Sequence, residues 1–162
     1  IERQNTIELR PDVLSYTSSP LAENVEVTGY VRANLVVSTA APSTDFTAKL
    51  VDVYPDGSAY NIADGILRQT YDVGEQRASI VIQLGATSNV FRKGHRIRLD
   101  VSSSNFPLFD RNPNTGTPIA FETRAVASLQ QIHHDASTPS FVELPIVPVR
   151  NGGRLIRFHA DE

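Results

Sequence analysis

The residue types of a serine hydrolase are present, but the local motif that would present a nucleophile is not. Serines occupy 102–104, Asp100 lies just before them, and His133 and His134 lie further along the chain. A catalytic triad is recognised by its geometry in space, so these residues alone do not identify one. An α/β-hydrolase presents its serine on a Gly-x-Ser-x-Gly turn, and no two glycines here are four residues apart. We therefore expect no catalytic residue and interpret the serines as a strand end with locally bonded hydroxyls.

A second candidate is a calcium loop. Asp110, Asn112 and Asn114 offer side-chain oxygens at alternate positions, as the start of an EF-hand loop does. However, Gly116 falls one place late, and the twelfth position is Phe121 where such a loop needs glutamate. Asn and Asp also hold tight turns by bonding their own backbone. We therefore predict that Asp110, Asn112, Asn114 and Gly116 form a structural turn, and that the chain has no metal site there.

The histidines do not suggest a metal site either. His133 and His134 are adjacent, so on a strand they point to opposite faces and cannot bind one ion together. The chain has no cysteine, which excludes disulfides, thiolate metal sites and thiol nucleophiles. It also lacks a phosphate-binding loop and a dinucleotide fingerprint. We predict no cofactor.

One loop is unusually apolar for a surface segment. It contains Phe106, Pro107, Leu108 and Phe109. Soluble monomers seldom leave such residues contiguous and bare. Two interpretations stay open: the loop caps one end of its own core, or it is an interface that contacts another domain or chain.

The elements that would position these residues are almost all strands. The chain is rich in Val, Ile and Thr, and turn residues such as Pro55-Asp56-Gly57, Asp64-Gly65 and Lys93-Gly94 separate short apolar runs. A short helical turn is considered at 87–91. The candidate strands are 6–9, 13–17, 25–28, 30–38, 45–54, 58–62, 65–71, 77–84, 95–102, 126–134 and 140–144. Many short strands without alternating helices predict an all-β sandwich or barrel.

Alternation with period two indicates which faces are buried. One face of each of three strands is apolar and the opposite face is polar, which predicts one core face and one wet face. The apolar sets are Val31, Ala33, Leu35 and Val37; Ala78, Ile80, Ile82 and Leu84; and Ile97, Leu99 and Val101. The strand at 46–54 is apolar on both faces, which favours a central position. Asp52 within it would need a partner, since an unpaired buried carboxylate is costly.

Length, composition and charge set further bounds. The chain has 162 residues, 40% hydrophobic and 20% charged, which is enough for one domain with a sizeable core. The net charge is -3 with no run of like charge, so we expect no nucleic-acid partner and no membrane partner. No signal peptide is visible, and a cytoplasmic location is favoured. Methionine is absent even at position 1, so we expect a piece of a longer protein.

Several stretches together resemble the C-terminal domain of the cocaine esterase and X-Pro dipeptidyl-peptidase family of serine hydrolases (CocE/NonD). They are 45–53 followed by Pro55-Asp56-Gly57, 86–91 with Gly94-His95-Arg96-Ile97, 101–107 running on to 110–112 and 114–116, 132–133, and 139–140 up to 144–146. They cover roughly residues 9 to 148 in the family's order. The chain departs from the family in a shorter turn around 72–75.

The resemblance implies a jelly-roll β-sandwich, similar to galactose-binding-like domains, over the whole chain, with 1–5 and 150–162 as linker or tail. It implies an α/β-hydrolase catalytic domain as partner, outside this chain and carrying the family's serine, acid and histidine. None of those residues has a counterpart here. The chain would then brace the catalytic domain and shape the approach to its active site. A freestanding β-sandwich that binds a carbohydrate or another ligand is the alternative, and self-association as a homo-oligomer stays open.

Overall fold

The fold is a sandwich of two antiparallel sheets. The computed structural model describes residues 2–71, 77–148 and 154–159. The strands are β1 (Val13–Thr17), β2 (Val25–Thr39), β3 (Ser43–Val53), β4 (Ala59–Thr70), β5 (Arg77–Phe91), β6 (Arg96–Ser102), β7 (Gln130–His133), β8 (Phe141–Val147) and β9 (Arg154–His159), and a 3-10 turn spans Ile119–Phe121. The first sheet has the order β1-β6-β3-β4; the second has the order β5-β2-β8-β9, with β7 also paired to β2. The predicted all-β sandwich is confirmed.

The core lies between the sheets and consists of the predicted apolar faces. The residues that β2, β5 and β6 bury there include Val31, Ala33, Leu35, Val37, Ile80, Ile82, Leu84, Ile97, Leu99 and Val101. Phe46, Ala48 and Leu50 of β3 complete it. The period of two therefore identified the core face of each of these strands correctly. The described part of the chain has no helix long and apolar enough to span a membrane.

Strand β3 is buried along its whole length, as its two apolar faces predicted. It pairs with β4 on one side and β6 on the other, so it is central in its sheet. The partner that Asp52 requires is His95, whose Nδ1 lies 2.9 Å from Asp52 Oδ1. Tyr54 covers this pair with its ring centroid 4.3 Å from that of the imidazole.

Two strand predictions were wrong because the local sequence pattern that suggested them belongs to a different structure. Residues 6–9 form no strand; they coil through local bonds in which Ile7 and Glu8 donate their amides to the Gln4 carbonyl. The segments 58–62 and 65–71 are one strand, β4, so Asp64-Gly65 is not a turn. A bulge opposite Leu50 and Val51 adjusts the register within that strand.

Three further boundaries differ from the predictions. Residues 87–91 are not a helical turn; they extend β5 and pair with the start of β2. Only Gln130–His133 of the predicted strand 126–134 is a strand. The predicted strand segments 25–28 and 30–38 are continuous in β2, with Gly29 at a φ of +137° between them. The predicted short turn at 72–75 lies outside the described residues.

The ends predicted as linker or tail take part in the fold. Gln4 is buried, and Arg3 forms a β-bridge with Tyr60. At the other end, Arg154–His159 is strand β9, which pairs with β8 over its length. Arg3 is held by a contact far away in sequence, and β9 is held by the preceding strand; local polarity reveals neither.

Glycine at position 65 is required where the two sheets approach each other. Gly65 lies on β4 of the first sheet, and a Cβ built there would stand 2.1 Å from the carbonyl oxygen of Gln83 on β5 of the second. Backbone occupies the space of the missing side chain and cannot rotate away. The sandwich is therefore closed along this side by near contact of two main chains.

Replacing Gly65 with alanine should consequently destabilise the fold. We expect Gly65→Ala to lower the unfolding free energy by about 3 kcal/mol or more, because the methyl group forces the sheets apart. Gly57→Ala is the control: Gly57 has a φ of +84° and open space around it, so only a backbone cost of about 1–2 kcal/mol applies. Urea unfolding of both variants measures the difference. Equal midpoints would show that the close approach is not a constraint.

Candidate functional site

The structure does not assemble a triad from the serine, aspartate and histidine singled out above. The Ser102 hydroxyl lies 2.7 Å from the Thr47 hydroxyl and donates to the Ser104 carbonyl. His133 Nε2 instead lies 2.9 Å from the Ser38 hydroxyl, on the other sheet. His134 packs edge-on against the Tyr16 ring. Ser102, Asp100 and His133 therefore do not lie in one chain of hydrogen bonds, and the absence of a catalytic residue stays a prediction.

The buried Asp100 belongs to a group of partly buried polar and charged side chains that the sequence did not indicate. Its strand face was predicted to be wet. However, the coiled segment at 5–12, before β1, covers this face and leaves Asp100 buried; we call it the covering segment. Asp100 Oδ1 accepts a 2.6 Å hydrogen bond from Ser15. Arg98, two residues earlier on the same face, binds Glu8 of the covering segment at 2.6 Å. We call Glu8, Ser15, Arg98 and Asp100 the carboxyl cluster.

The carboxyl cluster shifts the titration of Asp100. Burial raises the pKa of Asp100 to about 6, the hydrogen bond from Ser15 opposes the rise, and the nearby Glu8 carboxylate adds to it. Lys49 stands opposite Asp100 in the ladder, but its ammonium donates to Gln4 Oε1 at 3.1 Å. The Glu8 Oε1 atom is buried without a hydrogen bond. The cluster therefore places a carboxyl group of raised pKa next to a second carboxylate beneath the covering segment.

The loop after β6 is anchored at its base by Asp45 of β3. Both carboxylate oxygens of Asp45 bind Arg68 of β4, at 2.7 and 2.8 Å. Asp45 Oδ1 also accepts a 2.8 Å bond from the Asn112 amide, which donates to the Ser43 hydroxyl as well. A buried carboxylate is therefore fully paired, and its second partner fixes the position of the loop.

The residues predicted to form a structural turn make turn contacts. Asn112 Oδ1 accepts the backbone amide of Asn114, and Asn114 adopts a φ of +64° and donates its side-chain amide to the Val126 carbonyl. Gly116 has a φ of +78°, and Asp110 is exposed. Among the described residues, no three His, Asp or Glu side chains are grouped as metal ligands. The interpretation of this loop as a turn rather than a metal site stays a prediction, supported by these bonds.

The tip of the same loop is exposed. Phe106 is 63% exposed and Leu108 is 61% exposed, whereas Phe109 is half-buried. These exposures do not fit the interpretation in which Phe106 and Leu108 cap the core. The Arg111 guanidinium lies over the Phe106 ring, 5.4 Å from its centroid, which holds the ring outward.

A small cleft joins this tip to the covering segment near the N-terminus. It has a volume of about 140 Å³, and Phe106, Ile7 and Val13 line it together with the buried Lys49 and Asp100. Leu9, in the middle of the covering segment, is 83% exposed. The apolar surface therefore extends beyond the predicted loop. Sequence inspection missed this part because Leu9 was assigned to a strand.

The chain is similar to a family and to several larger proteins. Residues 3–143 match the family of X-Pro dipeptidyl-peptidase C-terminal non-catalytic domains. A cocaine esterase from Rhodococcus sp. is 47% identical over 89% of this chain, which spans 27% of that protein. An aminopeptidase from a marine sediment thaumarchaeote superposes with a TM-score of 0.85 at 29% identity, covering 91% of this chain and 28% of the other. An α-amino acid ester hydrolase superposes at 0.83 with 28% identity, covering 91% and 27%.

The carboxyl cluster generates a pH-dependent prediction. Because the folded pKa of Asp100 is raised above its usual 3.8, the folded state binds the proton more tightly, and stability falls as the pH rises from about 4 through 6. Asp100→Asn removes this cost while keeping an acceptor for Ser15. We expect the variant to gain about 3 kcal/mol over the wild type at pH 8 and less than about 1 kcal/mol at pH 4. Urea unfolding across this range measures the gain. Asp110→Asn, at an exposed position, should show no such gain, and a pH-independent effect of Asp100→Asn would contradict the assignment.

Proposed function

Because this chain belongs to the family of X-Pro dipeptidyl-peptidase C-terminal non-catalytic domains, we propose that it is the C-terminal, non-catalytic domain of a serine hydrolase. The parent protein would cleave an ester or amide bond through an acyl-enzyme formed in an α/β-hydrolase domain outside this chain. The observation that carries the proposal is the match over residues 3–143, in a chain spanning about a quarter of its relatives' length. The match favours a domain of a larger enzyme over a freestanding carbohydrate-binding module.

The contacts of the serine, aspartate and histidine residues support a non-catalytic role. Ser102, Asp100 and His133 each bond neighbours of their own sheet. A triad would need these side chains in one chain of hydrogen bonds. The chain therefore contributes structure and surface to the parent, and the nucleophile comes from elsewhere.

The surface that meets the catalytic domain is, in this proposal, the tip of the apolar loop with the covering segment beside it. Phe106, Leu108 and Leu9 expose apolar area, and the burial of each would contribute roughly 1.5–3 kcal/mol. Asn112 fixes the base of the loop to Asp45, so docking would not first require the loop to order. The family's domain is C-terminal, so the preceding domain would enter through the covering segment, next to the same cleft. A domain held there would be braced, and the loop would form part of the wall beside its active site.

Substitution of the exposed side chains at the loop tip should show whether they belong to a domain interface or to the core of this domain. We expect the double variant Phe106→Ser and Leu108→Ser to leave the urea midpoint of the 162-residue chain nearly unchanged, since both side chains are already in water. In the parent protein the same changes should lower the melting temperature of the catalytic domain or its activity, because the domains lose a shared apolar contact. Differential scanning calorimetry and ester hydrolysis of the parent measure both effects.

The control is Tyr30→Ser, which removes an equally exposed side chain on the second sheet (70% exposed). It should leave the parent unaffected. A large loss of stability in the 162-residue double variant would mean that the tip is core after all. An unaffected parent would place the domain contact elsewhere, and loss of a dimer in the double variant would assign the tip to self-association.

The proposal also predicts that the 162-residue chain is catalytically inert. Purified chain should hydrolyse neither activated esters nor X-Pro amides faster than buffer, because Ser102 bonds Thr47 and the Ser104 carbonyl, and Asp100 bonds Ser15 and not His133. Chromogenic assays at high protein concentration test this. Turnover that disappears with Ser102→Ala, Ser103→Ala or Ser104→Ala would place a nucleophile in this chain and end the proposal.

A further inference from the structure

A cavity of about 280 Å³ opens between the two sheets, on the side away from Gly65. Its walls come from both layers, with Leu99 on β6 of the first sheet and Leu35 and Val142 of the second. The connection between β1 and β2, residues 18–22, forms part of its rim. The other lining residues are Tyr16, Thr17, Ile97, Ile132, Ser140 and Phe141. The space is apolar at its base, and its rim at 18–22 combines two serines with Pro20, Leu21 and Ala22.

Three hydroxyl groups of the lining are engaged in the fold. The Thr17 hydroxyl accepts a 2.7 Å bond from Arg98, and the Ser18 hydroxyl accepts one from the Ile97 amide and donates to the Ser19 carbonyl. The Ser140 hydroxyl accepts the Val36 amide and donates to the His133 carbonyl. Among the residues whose side chains the structure describes, none in the lining carries a charge. A ligand would therefore find mainly apolar surface in this part of the cavity.

We infer that this cavity is a binding site for a small uncharged hydrophobic molecule, one aromatic ring or a short aliphatic chain in size. Apolar cavities of about 150 Å³ in proteins stay dry and bind benzene, so the volume here is sufficient for a substituted ring. A charged ligand would lose its hydration and gain no counter-charge. This inference does not rest on the proposed function, because the cavity lies within the domain itself.

The rim favours a small molecule over a protein surface. The exposed residues at the mouth are Ser19, Pro20 and Ala22, which offer little apolar area around the opening. A docking protein would bury its anchor in the cavity but gain few contacts beside it. A small molecule needs only the walls, which Leu35, Leu99 and Val142 supply.

The inference is tested first with toluene as the probe and benzoate as its charged counterpart, using the purified 162-residue chain. We expect toluene to bind with a dissociation constant of about 1 mM or tighter, and to raise the melting temperature by about 2–4 °C at five times that concentration. Benzoate should bind at least tenfold more weakly. In methyl NMR spectra, toluene should shift the signals of Leu99, Ile132 and Val142 and leave that of Val81 in place.

Matched variants locate the site. Ile132→Trp fills the cavity and should weaken toluene binding at least tenfold, whereas Val81→Trp places the same side chain on the exposed face of β5 and should change it less than twofold. If Ile132→Trp does not fold, the NMR shifts of the wild type decide. Absence of toluene binding, equal binding of benzoate, or shifts confined to other methyl groups would overturn the inference. If toluene binds the 162-residue chain but not the intact parent, the inference is overturned, because another domain of the parent then covers the cavity.

Discussion

The two sheets are set relative to each other by a near contact of main chains. On one side, Gly65 allows β4 to approach the Gln83 carbonyl of β5 with no side chain between them. Sheets in a sandwich otherwise stand about 10 Å apart, filled by side chains from both inner faces. The layers can meet here only because the residue has no Cβ. The first sheet is consequently fixed to the second along this margin, while the cavity lies on the other side, between residues of β1 and β6 and residues of β2, β7 and β8.

The outer face of β3 shows how the fold uses polar residues in a buried position. Asp45 and Lys49 alternate with the inward apolar residues, and both are nearly inaccessible to solvent. Asp45 is compensated by Arg68 of the neighbouring strand β4 and by Asn112 of the loop after β6, and Lys49 is compensated by Gln4 near the N-terminus. Because an unpaired buried charge would cost several kcal/mol, the sheet needs these partners. The carboxyl cluster is the exception, since Glu8 Oε1 has no hydrogen bond.

Much of the fold could be predicted from the sequence, because alternating apolar residues report burial within one strand. The core faces of β2, β5 and β6, the buried position of β3 and the need of Asp52 for a partner were all predicted correctly. The predictions failed where distant residues decide the outcome. Asp64-Gly65 has the composition of a turn, but the glycine serves a contact with Gln83. Glu8 and Asp100 are brought together only by the fold, so neither the carboxyl cluster nor the cover over it has a local signal. The exposure of Phe106 could not be deduced, since an apolar loop suits both a cap and an interface.

The pairing of Asp45 also constrains how such a domain can diverge. One carboxylate serves a neighbouring strand through Arg68 and a distant loop through Asn112. A substitution of Arg68 or Asn112 removes one partner of the buried Asp45 carboxylate, and a substitution of Asp45 removes the partner of both, so we expect tolerated changes to occur together. The position of the apolar tip therefore depends on three residues that are expected to change together, one of which lies on the central strand. We expect this position to change as slowly in evolution as the core does, while the side chains at the tip can vary with the surface that they contact.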